Sequence, residues 1–315
     1  MAAARWTAED IPDLTGRTGI VTGAGSGMGF EIAAQLAAHG AHVVLAARDP
    51  GRTEQAARRI VARRAAGSVQ VATLDLASLD SIDEFAGSVT TRLDALDILV
   101  NNAGIVGGPR RLTADGFEAH LGVNHLGHFA LTGRLLPLLL ASRGARVVTV
   151  SSSLAARSRI DFDDLQSTRD YHMITAYGRS KLANLLFALE LDRRARRAGI
   201  DLQSAACHPG VVRTTMLVGK SAEWGRGRRA AERAVRLIQL LTGQPAAAGA
   251  LPALYQATTP ASGAYIGSGR HFRGAPTPVP YPRVALDTAT AERLWQVSAE
   301  LTGVDYLPLA APRPR

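Results

Sequence analysis

The chain has 315 residues, of which 46% are hydrophobic and 20% charged, a balance that provides a core and excludes the low-hydrophobicity, high-charge signature of disorder. Its single cysteine, Cys207, excludes an intrachain disulfide and any cysteine-rich metal site, so a cytoplasmic location is expected. The net charge of +9 raises the question of a polyanion, but arginine clusters such as Arg58, Arg59, Arg63 and Arg64 fall at spacings that line outer helix faces without interleaved aromatics, and no nucleic-acid partner is expected.

Residues 1–16 carry Glu9, Asp10 and Asp13 and no apolar run behind a basic start, so they read as an N-terminal extension and not as a signal peptide. From residue 18 the chain alternates short apolar strands with amphipathic helices: strands at 19–22, 42–47, 69–74, 98–101, 145–151 and 201–206, helices at 27–39, 53–64, 78–93, 113–142 and 175–198. Continuous apolar strands separated by helices specify a parallel sheet covered on both faces. The expected fold is therefore α/β, a doubly wound parallel sheet of the Rossmann type in one catalytic domain over 17–275.

After residue 215 the rhythm changes. Residues 216–243 mix apolar positions (Met216, Leu217, Val218, Trp224) with an arginine-rich face and read as a helical substrate lid. Within 276–315, the prolines at 276, 278, 280 and 282 predict an extended stretch with no ladder capacity, followed by a helix over 287–302 capped by Gly303. The longest apolar stretch, 129–141, is broken by Gly133, Arg134 and Pro137 and falls short of the roughly 20 residues of a membrane helix. No membrane span is expected.

The first strand runs into Thr22-Gly23-Ala24-Gly25-Ser26-Gly27-Met28-Gly29, a TGxxxGxG string. Glycines between a strand and a helix start allow a tight turn and let the backbone approach a pyrophosphate at the positive helix end; a glycine-rich turn without a ligand is the plainer reading. The second strand ends in Ala47-Arg48 where an acid would select NAD, and a guanidinium there suits the 2′-phosphate of NADP (NADPH). Asp75-Leu76 and Asn101-Asn102-Ala103-Gly104 close the third and fourth strands, either as ordinary turns or as a seat for adenine and ribose at the carboxyl edge.

Tyr177 and Lys181 stand four residues apart, on one helix face. An ammonium near a phenol favours phenolate and makes a general acid/base for a carbinol or carbonyl oxygen, whereas on a surface helix the pair would do nothing. The hydroxyls of Ser151-Ser152-Ser153, at the end of the preceding strand, favour the first reading. His125 and His128 are spaced for one helix face but have no third ligand in register, so packing, or support of neighbouring site residues, and no metal are expected.

TGxxxGxG, NNAG, Asn124, the serine cluster, YxxxK and Pro209-Gly210-Val211-Val212-Arg213-Thr214 occur in the order found in short-chain dehydrogenases/reductases, which the chain resembles. The strings Asn124-His125-Leu126-Gly127-His128-Phe129, Ser180-Lys181-Leu182-Ala183-Asn184 and Arg293-Leu294-Trp295-Gln296-Val297-Ser298 look like the retinol dehydrogenase branch. The resemblance implies that Tyr177 gives and takes the proton, that Lys181 lowers its pKa and binds the nicotinamide ribose, and that Ser152, with Ser153 as the neighbouring alternative, holds the substrate oxygen. It implies that Asn124 stabilises a helix bend and a relay water. It places Thr22, Gly23, Ser26, Gly27, Met28 and Gly29 around the pyrophosphate, and Pro209, Val212 and Thr214 at the nicotinamide end. The expected function is NADP(H)-dependent interconversion of a carbonyl and an alcohol on a lipophilic small molecule. The alternatives are a catalytically silent NADP-binding sensor and a reductase of a carbon–carbon double bond. Helices 113–142 and 175–198 are compatible with a homodimer.

Overall fold

The structure, a computed structural model, describes residues 6–213, 243–259, 263–269 and 273–309. Eight strands form one sheet in the order β3-β2-β1-β4-β5-β6-β7-β8: β1 Thr18–Thr22, β2 His42–Ala47, β3 Ser68–Thr73, β4 Ile98–Asn101, β5 Ala145–Val150, β6 Leu202–His208, β7 Tyr265–Ser268 and β8 Pro276–Val279. All neighbours pair parallel except β7 with β8. The chain winds outward from β1 to β3 and then returns to place β4 against the other side of β1. That reversal is the topological switch at whose carboxyl end such sheets bind ligands.

Alternation along the strands sends residues to opposite faces. Val21, Val43, Leu45, Val100 and Val148 pack with α1 (Gly27–Ala38), α2 (Pro50–Ala62) and α8 (Ala246–Thr258). Ile20, Val44, Ala46, Leu99 and Val147 pack with α3 (Leu79–Thr90), α5 (Gly127–Arg134), α6 (Leu136–Ala141) and α7 (Met173–Arg197). The last helix, α9 (Thr288–Thr302), ends at Gly303 in the left-handed conformation, φ 63°, as its glycine predicts. Its Trp295 enters an aromatic group with Phe129, Phe187 and Tyr306. Phe129 of α5 and Phe187 of α7 are thus covered within the chain.

Two expectations are corrected. The helix expected over 113–142 is broken into α4 (Ala119–Leu121), a π turn over Gly122–Leu126, α5 and α6. Gly116 turns the chain at φ 83°, Glu118 caps the first turn by accepting from the His120 and Leu121 N–H groups, and Pro137 stands in the first turn of α6, the one helical position that does not need its missing N–H. The proline stretch, expected to lack ladder capacity, contributes edge strand β8, antiparallel to β7 with Ile266 opposite Pro278 and Gly267 opposite Thr277. Prolines at every second position leave the alternate residues free to pair, and an edge strand needs no more. Of the expected lid, residues 216–242 lie outside the described residues, as does Thr214. Among the described residues no helix is long and apolar enough to cross a membrane.

Candidate active site

The strand-end motifs lie at the carboxyl edge of β1 to β6, and Tyr177 and Lys181 lie in the first turns of α7. At β1, Gly23 and Gly27 adopt φ 69° and 58°, left-handed values that favour glycine. A Cβ on Gly29 would stand 2.3 Å from the Gly23 carbonyl oxygen and 2.6 Å from Asn102 Nδ2. Helix α1 opens on exposed Ser26, which makes no capping hydrogen bond, and its first turn holds no acid. Its leading N–H groups are left for an anion.

Thr22 joins this loop to the next strand. Its hydroxyl oxygen accepts from the Asn102 and Ala103 N–H groups, both at 2.9 Å, while Asn102 Nδ2 donates to the Thr22 carbonyl at 2.8 Å. Asn102 Oδ1 is buried and has no partner among the described residues. On the far side of the same turn, Asn124 Oδ1 accepts from the Ile105 N–H at 2.7 Å and its Nδ2 donates to the Ile105 carbonyl at 3.1 Å and to Ser180 Oγ at 2.9 Å. Asn124 sits in the π turn, so the bend implied for it is present, and its amide is spent on holding residues 102–105 from the side opposite Thr22.

The three serines after β5 have three different roles. Buried Ser151 donates to the Lys181 carbonyl at 2.7 Å; Ser152 Oγ accepts from the Leu154 N–H at 3.3 Å and stands near the Tyr177 hydroxyl; Ser153 is exposed. Of the pair left open, Ser152 is the one beside Tyr177. Burial pushes the Tyr177 phenol above its usual value, with the Ser152 hydroxyl partly opposing. The lowering by Lys181 expected from their spacing is not what these surroundings impose: the Lys181 ammonium lies 5.9 Å from the tyrosine ring centroid and donates to the Val150 carbonyl at 3.1 Å. Lys181 itself is buried, and desolvation brings its pKa down to about 8. It borders Gly104, where a Cβ would stand 3.3 Å from Nζ.

Pro209 and Val212 follow β6. The Pro209 carbonyl accepts from Gln244 Nε2 at 2.6 Å; Val212 packs on Gly249 of α8, which also touches Met28, so the start of α1 and this loop share one support. Arg48 is exposed at the end of β2 and forms no ion pair among the described residues, while its neighbour Asp49 caps α2 by accepting from the Arg52 N–H at 3.0 Å. Asp75 turns the chain after β3, accepting from the Ala77 N–H at 3.0 Å, and Leu76 is buried. Residues 155–172 run beside α7: Asp161 pairs with Arg179 at 3.6 Å, and Tyr171 reaches His120 Nδ1 at 3.2 Å. His125 and His128 do not converge on one point; they meet Ser298 and Thr22 respectively.

Sequence reasoning left out three supports of this edge. Gln244 grips both Pro209 and Ser268. The buried Glu118–His120 pair, 2.9 Å apart, lies under Tyr177 with its imidazole 6.1 Å from the tyrosine ring. His128, expected only to pack or to support its neighbours, is the third. The spacing of His128 four residues after Asn124 was a visible signal; Gln244 and Glu118 had none.

A doubly wound sheet with a glycine cradle, a seryl hydroxyl and a Tyr/Lys pair at its switch point defines a nicotinamide-dependent oxidoreductase. The family model for short chain dehydrogenase matches residues 17–224, and the chain belongs to that family, in its retinol dehydrogenase-like branch. It is 41% identical over 293 residues to human retinol dehydrogenase 13, covering 93% of this chain and 86% of that one, and 41% identical over 296 residues to human retinol dehydrogenase 12, covering 93% and 88%. Among solved structures it is similar to an uncharacterised protein from Mycobacterium paratuberculosis, with 38% identity, a TM-score of 0.78, and 96% and 99% of the two chains covered. A metagenomic short-chain oxidoreductase in complex with NADP shares 25% identity, with a TM-score of 0.58 and coverage of 79% and 93%. The chain is accordingly an oxidoreductase acting on an alcohol or carbonyl group, of a family that uses NAD(P).

Proposed function

We propose that this chain is an NADP(H)-dependent oxidoreductase that interconverts a carbonyl and an alcohol on a lipophilic small molecule, with Tyr177 as general acid/base. The observation that carries this reading is the nearness of the Ser152 hydroxyl to the Tyr177 phenol at the carboxyl edge, beside a buried lysine and next to the turn held by Thr22 and Asn124. The residues fit the dinucleotide: Gly23, Gly27 and Gly29 keep the pyrophosphate cradle free of side chains, the N–H groups of α1 face it, and exposed Arg48 suits a 2′-phosphate. Asp75, Leu76, Asn102, Ala103 and Gly104 border the adenosine side, and Pro209 and Val212 the nicotinamide side. When bound, the nicotinamide supplies or accepts the hydride.

The chain's own residues manage the proton. In the direction of reduction, the substrate oxygen accepts from Ser152 and Tyr177, and the Tyr177 hydroxyl gives up its proton as that oxygen becomes negative. A phenol held above its usual pKa keeps this proton until then. The buried Lys181 ammonium, close to Gly104, is placed to hold the ribose and to stabilise the phenolate that follows. The lipophilic class is supported by the retinol dehydrogenases that the chain resembles and by the apolar residues Met216, Leu217, Val218 and Trp224 of the expected lid.

The test is to titrate the protein with NADPH and NADH, then to assay lipophilic aldehydes, ketones and alcohols and analyse the products. Tighter NADPH binding and an alcohol product from a carbonyl are expected. Equal affinity for the two nucleotides, or reduction of a carbon–carbon double bond instead, would overturn the corresponding part.

A further inference from the structure

His128 is 1% exposed and stands on α5 four residues after Asn124. Its Nδ1 lies 3.0 Å from the Asn124 carbonyl oxygen, an atom that can only accept, so Nδ1 carries the proton. Its Nε2 lies 2.9 Å from Thr22 Oγ1. Burial, with Lys181 nearby, brings the imidazole pKa down to about 4, so the ring is neutral near pH 7 and Nε2 is an acceptor. The Thr22 hydroxyl, which already accepts the Asn102 and Ala103 N–H groups, therefore donates to it at 2.9 Å in preference to its other acceptor within reach, the Val100 carbonyl at 3.3 Å. Every polarity in the chain follows: two backbone N–H groups donate to Thr22, Thr22 donates to His128, and His128 donates to Asn124.

Thr22 holds the turn at Asn102 and Ala103, Asn124 holds it at Ile105, and His128 is the strut between the two clamps. We propose that His128 is a positioning residue for the cofactor, fixing the shape of the 102–105 turn by tying the threonine of the glycine loop to the Asn124 bend. This rests on the nicotinamide reading above. A residue that merely fills space would need volume at this position but neither ring nitrogen.

The experiment measures NADPH dissociation constants, without turnover, for the native chain, His128→Phe, His128→Gln, Thr22→Val and the Thr22→Val/His128→Phe double variant, together with the imidazole nitrogen NMR spectrum of the native chain. Losing two buried hydrogen bonds should weaken NADPH by about tenfold or more in His128→Phe. His128→Gln, which can donate on one side and accept on the other, should recover part of that. The effect of His128→Phe should nearly vanish in the Thr22→Val background, because the strut has lost one end. Additive effects, unchanged NADPH binding in His128→Phe, or a spectrum showing the proton on Nε2 would each overturn the proposal. The spectrum decides even if a variant fails to fold. If the native chain bound neither nucleotide the cofactor reading itself would fall, a different outcome from tight native binding that His128→Phe leaves unchanged.

Discussion

Gly29 faces Gly23 across the start of α1 so closely that a single added methyl on Gly29 would stand 2.3 Å from the Gly23 carbonyl oxygen. Backbone atoms of the loop would have to move to admit it, and Asn102, which holds the neighbouring turn, would be struck as well at 2.6 Å. Overpacking of this kind costs roughly 1 to 3 kcal/mol, and here the strain falls on the cradle. Gly29→Ala should weaken NADPH by about 5- to 150-fold while the far-ultraviolet circular dichroism stays native. Unchanged affinity would show that the loop is not where the pyrophosphate sits.

Arg48 supports the choice between nucleotides. It is exposed and without an ion pair among the described residues, so its removal should leave the fold alone. Loss of a charge-assisted hydrogen bond costs roughly 1.5 to 3 kcal/mol, so Arg48→Ala should weaken NADPH by about 10- to 150-fold and leave NADH nearly unchanged. Parallel titrations with the two nucleotides check this, and an equal loss for both would remove Arg48 from the 2′-phosphate.

Tyr177→Phe keeps the ring beside His120 and removes only the hydroxyl that meets Ser152. Turnover should fall by about 10²- to 10⁴-fold, the usual worth of a positioned general acid, with NADPH affinity within a few-fold of native. Lys181→Ala should impair both, since the buried ammonium borders Gly104 as well as the tyrosine. Native turnover in Tyr177→Phe would transfer the proton role to another group.

What the sequence made legible follows from how local each signal is. The glycine loop, the Tyr177/Lys181 spacing and the Gly303 cap are each set by a few consecutive residues, and the structure has all three. The helix expected over 113–142 failed because apolar periodicity runs through Gly116 and Pro137 while the backbone does not. The proline strand was missed because pairing at an edge depends on which residues face the neighbour, and only the register supplies that. Gln244 acts through partners 35 and 24 residues away, and although His128 stands four residues after Asn124, its other partner, Thr22, lies 106 residues away; no local pattern encodes such contacts. The direction of the Tyr177 shift is not legible for the same reason: burial is a property of the assembled fold, and here it holds the phenol up.

The buried histidines give the protein an acid-sensitive window. Burial brings the pKa of His125 down to about 3 and those of His128 and His208 to about 4, against about 6.5 in an unfolded chain. Folded values below unfolded ones mean that the unfolded chain binds more protons between these limits, so stability is fully present above about pH 6.5 and is lost as pH falls toward 4. For His128 alone the loss is on the order of 3 kcal/mol across the window. Glu118 and Asp97, held below the usual carboxylate range by their hydrogen bonds, lose their contribution only further into acid. Lys181, at about 8, is protonated in both states below pH 6.5. The slope between pH 6.5 and 4.5 therefore belongs to the histidines. Urea unfolding at pH 7.5, 6.5, 5.5 and 4.5 should give a midpoint that falls little between the first two and steeply over the last two. His128→Gln, which cannot titrate, should make that fall shallower. A midpoint that holds steady down to pH 4.5 would mean that these rings already take up protons in the folded chain, and that the neutral, Nδ1-protonated form assigned to His128 is wrong.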